Sequence, residues 1–211
     1  MNRSEGMSYP TIFLVDDDAS VRDSLGLLLS LKGMRTQLFA NAEAFLDTYR
    51  PDWRGCLLTD LRMPGMSGLE LQETLRARGI DLPVVVLTAH GDVATTRVAM
   101  KNGAFDFLEK PVDDEVLLDV LQNAIRADEQ RHAQHSAEQD ARGRVDRLTP
   151  RERAVLGLLV EGLQHREIAE RLSISPRTVE VYKARMMEKL QCRSIAEAVR
   201  IAVAAADDGT A

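Results

Sequence analysis

Residues 11–18 read Thr-Ile-Phe-Leu-Val-Asp-Asp-Asp. Such a compact run of apolar and β-branched residues is typical of a strand that is buried on both faces, as in a parallel sheet. Three carboxylates follow at once, so acidic side chains stand at the carboxyl end of this strand. Because open parallel sheets bind their ligands at that edge, the stretch predicts both the fold class and the place of a functional site.

Four similar short runs follow, and patterns with helical spacing separate them. The runs cover residues 36–39, 56–59, 83–88 and 105–108. The helical patterns cover about 20–32, 42–49, 69–78, 93–102 and 114–125. Five alternations of strand and helix predict an α/β domain with a five-stranded, doubly wound parallel sheet.

The second half of the chain has a different character. Residues 126–144 are strongly polar, which predicts a helix that extends from the last repeat and frays into a linker, with Gly143 as its break. The stretch Thr149-Pro150-Arg151-Glu152 forms a capping box with proline at the first helical position. Four short helices then fit residues 150–206. Two of them are joined by a tight turn at Ser173-Ile174, which predicts an all-α helix-turn-helix domain.

Composition excludes several classes of protein and shows a charge asymmetry. No apolar run approaches the length of a membrane helix, and residues 1–9 lack the apolar core of a secretory signal. The two cysteines are too few for a disulfide framework, so we expect a cytoplasmic protein. Residues 1–144 carry 16 cations and 23 carboxylates, whereas residues 145–206 carry 11 and 8. The overall charge of −6 therefore conceals a basic second domain that can approach nucleic acid.

Polar residues gather where the predicted strands end. Asp16 and Asp17 follow the first strand, and Asp60, Thr88 and Lys110 end or follow the third, fourth and fifth strands. Crowded carboxylates repel one another unless a hard cation such as Mg²⁺ lies between them. A lysine and a hydroxyl beside them suit a phosphoryl group, with Asp60 as the nucleophile.

These residues carry a resemblance to a known family. Val15-Asp16-Asp17, Asp60-x-x-Met63-Pro64-Gly65, Thr88-Ala89 and Lys110-Pro111 resemble the receiver domain of two-component response regulators, which has a flavodoxin-like fold. The resemblance implies that Asp60 is the phosphoacceptor, with Thr88 and Lys110 as its catalytic partners. It also implies Mg²⁺ (or Mn²⁺) held by the following groups: Asp16, Asp17, Asp60 and the backbone carbonyl of Arg62.

The same resemblance implies a conformational switch. Thr88 moves toward the phosphoryl group and Phe107 rotates into the space that it leaves, while a cis Lys110–Pro111 bond shapes the loop. Arg62 and His90, two residues after Asp60 and Thr88, stand where the family adjusts phosphoryl lifetime. Phosphorylation is expected to favour a homodimer through the face of the fourth helix and fifth strand. That face carries two cations and two carboxylates suited to reciprocal pairs: Arg97, Lys101, Asp106 and Glu109.

The basic module resembles the LuxR/NarL-type DNA-binding domain. Its motifs include Leu148-Thr149-x-Arg151-Glu152, Glu167-Ile168-Ala169 and Thr178-Val179. Together with the receiver motifs, they identify the chain as similar to the FixJ-type subgroup. The third helix of the module would enter the major groove, with Val179, Met186 and Leu190 packed inward. The expected DNA contacts are Arg177, Thr178, Glu180, Val181, Lys183, Ala184, Arg185 and Lys189.

The combined prediction is a transcription factor that accepts a phosphoryl group and acts as an enzyme only on its own Asp60. The predicted divisions are a receiver (9–126), a helical linker (127–146) and a DNA-binding domain (147–206). A sensor histidine kinase would phosphorylate Asp60, and the dimer would bind promoter DNA and act with RNA polymerase, with activation as the expected outcome. No membrane partner is expected.

Two other functions fit parts of the sequence. A Mg²⁺-dependent phosphatase that works through an aspartyl-phosphate usually has a second Asp two residues after the nucleophile, and Arg62 stands there instead. A phosphorylation-dependent adaptor would use the four-helix module to bind protein rather than DNA. Steady phosphate release from phosphoesters would favour the first alternative, and absent or salt-independent DNA affinity would favour the second.

Overall fold

The computed structural model describes residues 9–89 and 93–206. The chain divides into two compact units, Met1–Arg131 and His132–Ala211. The predicted absence of an N-terminal signal and the predicted role of His90 concern residues outside those described. None of the described helices is both long and apolar enough to cross a membrane.

The first unit contains a parallel sheet in the order β2-β1-β3-β4-β5. The strands are β1 (Thr11–Val15), β2 (Arg35–Phe39), β3 (Gly55–Asp60), β4 (Val84–Thr88) and β5 (Asp106–Glu109). No strand end differs from its sequence prediction by more than one residue. This order is that of a doubly wound, flavodoxin-like sheet, so the predicted fold class is confirmed.

Five helices accompany the sheet: α1 (Ala19–Leu31), α2 (Ala42–Thr48), α3 (Gly68–Ala77), α4 (Val93–Lys101) and α5 (Asp114–Asp146). Asp18, Asn41 and Ser67 cap the first three, because each side chain accepts a hydrogen bond from a backbone N–H of the first turn. These caps decide where each helix starts, directly after a strand end or its loop.

Two apolar cores cover the two faces of the sheet. Successive residues of a strand point to opposite faces, so Phe13 and Val15 belong to one core and Ile12 and Leu14 to the other. The ring of Trp53 stacks on Phe13 with centroids 4.3 Å apart. Because Trp53 is the single tryptophan of the chain, its fluorescence reports on the first unit.

A long-range hydrogen bond ties α5 to the start of β3. The backbone N of Gly55 donates to Oδ2 of Asp128 over 2.9 Å, and Asp128 is only 3% exposed. Gly55 has a φ of +125°, and a Cβ at this position would lie 2.0 Å from the carbonyl oxygen of Thr11. Glycine is therefore required where β3 meets β1, and Asp128 supplies the acceptor for its N–H.

Replacing Asp128 by alanine should leave the Gly55 N–H buried without its acceptor. We expect the free energy of unfolding of the first unit to fall by about 1–3 kcal/mol. Urea titration followed by Trp53 fluorescence measures this change. Asp128→Asn keeps an acceptor oxygen and should cost less, and Asp119→Ala, at an exposed position of the same helix, should cost little. Equal losses in the asparagine and alanine variants would contradict the assigned role.

Helix α5 is longer than the sequence predicts. It continues without interruption to Asp146, so the prediction that Gly143 breaks it is wrong. A glycine inside a helix costs only about 1 kcal/mol relative to alanine, and helix-forming neighbours can offset that. Arg144 Nη2 also lies 2.6 Å from Asp140 Oδ2, an i,i+4 ion pair that spans Gly143.

The second unit contains four short helices after the end of α5. They are α6 (Pro150–Val160), α7 (His165–Leu172), α8 (Pro176–Leu190) and α9 (Ile195–Ala206). The predicted capping box is present, because Thr149 N donates to Glu152 Oε2 and Glu152 N donates to Thr149 Oγ1. Ser173, with a φ of 53°, makes the turn between α7 and α8. The helix-turn-helix prediction is confirmed.

Candidate functional site

The strand register brings the predicted pocket residues to one edge of the sheet. Val15 is level with Thr59, Asp60 with Leu87, and Thr88 with Glu109. Because all five strands are parallel, the residues at or just after these carboxyl ends are neighbours. They are Asp16, Asp60, Thr88 and Lys110.

Lys110 joins the two buried carboxylates of this edge. Its Nζ lies 2.9 Å from Oδ2 of Asp16 and 3.0 Å from Oδ1 of Asp60, which are 3% and 9% exposed. Burial opposes the charge on the ammonium, but the hydrogen bonds to the two carboxylates outweigh it, so the pKa of Lys110 lies above its ordinary value. Lys110 N donates to Thr88 O over 2.7 Å, and the Lys110–Pro111 bond is cis, as predicted.

The loop after Asp60 is held close to its carboxylate. Arg62 N donates to Oδ2 of Asp60 over 2.7 Å. A Cβ on Gly68 would lie 2.3 Å from the backbone oxygen of Asp60, so glycine is needed where α3 approaches the end of β3. Met66 N donates to Oε1 of Glu43 over 3.1 Å. Glu43 is not among the residues predicted from the sequence, because nothing in the spacing of α2 indicates that its side chain reaches a loop 23 residues away.

The oxygen donors at this edge fit a partly hydrated magnesium ion. Among residues 9–89 and 93–206, no three His, Cys, Asp or Glu side chains lie close enough together to hold a metal. Asp16 and Asp60 nevertheless share the Lys110 ammonium, and Asp17 follows Asp16 directly in the chain with an exposed side chain. Mg²⁺ commonly takes one or two carboxylates and keeps several waters, so this set suffices.

Asp18 has a structural role in this acidic run. Its Oδ1 accepts hydrogen bonds from Ser20 N and Ser20 Oγ, at 2.8 and 2.7 Å. These bonds lower the pKa of Asp18 below its ordinary value. The residue thus caps α1 rather than joining the pocket, in line with the absence of any predicted site role.

The two residues of the predicted switch have different environments. Thr88 is 1% exposed at the end of β4, whereas Phe107 is partly buried and packs against the core that contains Phe13. Nearby, Arg97, Lys101 and Glu109 are exposed on α4 and β5. Asp106 is only partly exposed, and its Oδ1 accepts a 2.7 Å hydrogen bond from Phe107 N. Its carboxylate is therefore already engaged within its own chain.

Helix α8 shows the two sides that the sequence predicts. Val179, Met186 and Leu190 are buried in the core of the second unit. The opposite side carries mostly exposed members of the predicted DNA-contact set: Arg177, Glu180, Val181, Ala184 and Arg185, with Thr178 and Lys183 partly buried. Ser175 caps the helix through a 3.1 Å bond from Thr178 N.

Lys189 has a contact that the sequence analysis did not foresee. Its Nζ lies 2.7 Å from Oε2 of Glu152, a carboxylate that is 3% exposed. Burial opposes ionisation of Glu152, but hydrogen bonds from Lys189 and Thr149 outweigh it and lower the pKa of Glu152. The ammonium of Lys189 therefore neutralises a buried charge inside its own domain, a role other than the predicted phosphate contact.

Comparisons with known proteins agree with both units. The family described as the response regulator receiver domain matches residues 12–122. The family described as bacterial regulatory proteins, luxR family, matches residues 146–202. These two matches cover the sheet edge with Asp60 and the helix-turn-helix with α8.

Relatives match both units together. The transcriptional regulatory protein FixJ of Azorhizobium caulinodans is 48% identical over 94% of this chain and 96% of its own length. The solved response regulator StyR is 42% identical, with a TM-score of 0.82 over 92% of this chain and 98% of its own. Full-length FixJ from B. japonicum is 43% identical, with a TM-score of 0.58 over 94% and 98%.

The resemblance to FixJ-type response regulators, inferred from the short motifs, is thereby confirmed. The matches extend over nearly the whole length of this chain and of its relatives. The relatives therefore share both domains, the receiver and the DNA-binding domain, in the same order. The chain belongs to the FixJ-type response regulators, transcriptional regulators of two-component systems that join a receiver domain to a LuxR-type DNA-binding domain.

Proposed function

We propose that Asp60 accepts the phosphoryl group that controls this transcriptional regulator. The observation that carries the proposal is the Lys110 ammonium, which bridges Asp16 and Asp60 at the carboxyl edge of the sheet. Thr88 ends the neighbouring strand beside it. A cation, a hydroxyl and a buried carboxylate at one place suit the capture and stabilisation of a phosphoryl group.

The proposed reaction transfers a phosphoryl group from a phosphohistidine of a sensor kinase. A carboxylate oxygen of Asp60 forms a bond to phosphorus, and the phosphorus–nitrogen bond breaks. The histidine retains the electron pair and takes up a proton. Lys110 stays paired with the charge that develops on the phosphoryl oxygens, and the N–H of Arg62 holds the second carboxylate oxygen.

A divalent cation belongs to this proposal. Asp17, Asp60 and the carbonyl of Arg62 would hold Mg²⁺ or Mn²⁺ directly, and Asp16 would act through water. When bound, the ion supplies positive charge that offsets the repulsion between the carboxylates and the incoming phosphoryl group.

The phosphorylated receiver is proposed to act through the switch and a dimer. Thr88 would hydrogen-bond the phosphoryl group, Phe107 would turn inward, and the α4–β5 face would form a homodimer. The functional divisions remain those predicted from the sequence: 9–126, 127–146 and 147–206. The dimer would then present two copies of α8 to promoter DNA, together with RNA polymerase in the cytoplasm.

The proposed DNA contacts lie on the solvent side of α8. Glu180, Val181 and Ala184 would meet base edges, because they occupy the middle of the exposed side. Arg177, Lys183 and Arg185 would bind phosphates, and Thr178 stands at the helix start. Lys189 is left out of this set because it is paired with Glu152.

A footprint on genomic fragments tests the proposal. Acetyl phosphate with Mg²⁺ should strengthen protection of specific sites by the wild-type chain, because two coupled modules bind more tightly than one. The Asp60→Asn variant should show the same protection with and without acetyl phosphate. If wild-type protection does not respond to acetyl phosphate, control through Asp60 is wrong. If no fragment is protected under any condition, DNA binding by this module is wrong.

A further inference from the structure

Asp16 is held at four of its polar atoms. Lys110 Nζ donates to its Oδ2 and Asp18 N to its Oδ1, each over 2.9 Å. Asp16 N itself donates to Phe39 O over 3.3 Å. The fourth contact is from Arg22, whose Nη1 donates to the backbone oxygen of Asp16 over 2.7 Å.

The contact from Arg22 comes from a well-defined position on α1. Arg22 lies one turn after the capping residue Asp18, and its own N donates to Asp18 O over 3.1 Å. Its side chain is partly buried, and a short hydrogen bond from a charged donor is among the stronger ones in proteins. The guanidinium therefore reaches back from a fixed backbone to the end of β1.

The accepting oxygen belongs to the peptide that joins Asp16 to Asp17. A peptide unit is planar, so holding its oxygen also orients its nitrogen and the Cα of the next residue. Asp17 is exposed, and within residues 9–89 and 93–206 its carboxylate makes no hydrogen bond or ion pair. The direction in which this carboxylate points thus depends on how firmly the preceding peptide is held.

We propose that Arg22 is a positioning residue, which directs the Asp17 carboxylate toward the divalent cation by holding the Asp16–Asp17 peptide. This inference rests on the proposed metal site and adds to it a residue outside the set of ligands. Mutating a residue that orients a metal ligand typically weakens metal affinity by roughly 10–100-fold.

The charge of Arg22 has the opposite effect on metal affinity. A guanidinium near the pocket repels a divalent cation, so removing its charge alone would tighten binding. Removing its hydrogen bond to the Asp16–Asp17 peptide would weaken binding, because Asp17 would no longer be directed. The sign of the change therefore separates a positioning role from a purely electrostatic one.

Mn²⁺ binding to the full-length chain, measured by the electron paramagnetic resonance of free Mn²⁺, tests the inference. Arg22→Met keeps the aliphatic part of the side chain and loses both the donor and the charge. We expect the dissociation constant for Mn²⁺ to rise about tenfold, the low end for loss of a partner that orients a ligand. Arg78→Met removes the same charge from an exposed position at the end of α3 and should leave the constant nearly unchanged.

The outcomes distinguish failure of the positioning role of Arg22 from failure of the proposed metal site. If the wild-type chain binds no Mn²⁺, the proposed metal site is wrong, and the role of Arg22 is wrong with it. If the wild type binds and Arg22→Met binds equally or more tightly, only the positioning role is overturned. Trp53 fluorescence during urea unfolding shows whether the variant is folded. If the methionine variant is not folded, Arg22→Leu, which also lacks both the donor and the charge, provides the same comparison.

Discussion

Replacing Asp60 by asparagine should abolish uptake of a phosphoryl group from acetyl phosphate in the presence of Mg²⁺. Asparagine has nearly the same shape and can keep a hydrogen bond to Lys110, but its amide oxygen is not a competent nucleophile at phosphorus. The mass of the intact protein after incubation measures the uptake. We expect wild-type protein to gain one phosphoryl group and the variant to gain none.

Asp18→Asn provides the matched control for this loss. It removes one carboxylate from the same acidic region, but Asp18 caps α1, whereas Lys110 pairs with Asp16 and Asp60. The control variant should therefore be phosphorylated at the same site as the wild type. Uptake by Asp60→Asn at the wild-type level would show that another side chain, such as Asp16, accepts the group.

The pocket could be predicted because its residues occupy strand ends. A parallel sheet brings the carboxyl ends of its strands to one edge, so Asp16, Asp60, Thr88 and Lys110 had to be neighbours once five strands were recognised. The alternation of Phe13 and Leu14 between two cores likewise follows from the period of a strand. Spacing along the chain is sufficient for inferences of this kind.

Contacts made by long side chains to distant backbone could not be predicted in that way. Arg22 and Glu43 lie on helices whose patterns indicate only which face is apolar. Whether their ends reach Asp16 O or Met66 N depends on the packing of helix on sheet and on a close approach at Gly65, where a Cβ would lie 2.8 Å from Glu43 Oε1. These features exist only in three dimensions.

Helix α8 also has a contact with a distant residue that its own sequence pattern could not predict. The helical wheel separates the buried and exposed sides of α8 correctly. The sequence analysis also counts Lys189 among the cations that could bind DNA. The wheel does not include Glu152, which lies 37 residues earlier and on another helix. Since Glu152 is buried, its ion pair gives Lys189 a role in stability that the wheel does not show.

Replacing Lys189 by methionine should destabilise the second unit. The carboxylate of Glu152 would lose its cation and remain 3% exposed. Because the Lys189 side chain is itself 36% exposed, water screens part of the pair, and we expect a cost of about 1–3 kcal/mol. For a domain of this size the midpoint of thermal unfolding should fall by about 5 °C or more. Circular dichroism of the full-length chain follows the helices, while Trp53 fluorescence reports separately on the first unit and should not change.

The pH dependence and two further variants test the cause of this loss. Because the folded-state pKa of Glu152 lies below its ordinary value of 4.5, the pair stabilises the fold above that pH and is lost as the pH falls through the folded pKa. The difference between wild type and Lys189→Met should therefore be largest near neutrality and shrink as the pH falls toward and below 4.5.

Lys183→Met makes the same change on α8 at a position that has no ion pair within the described part of the chain, and it should cost little. Adding Glu152→Gln to Lys189→Met keeps the capping box and removes the unpaired charge, so it should restore part of the stability. A double variant no more stable than Lys189→Met would show that lost packing, rather than the buried charge, causes the effect.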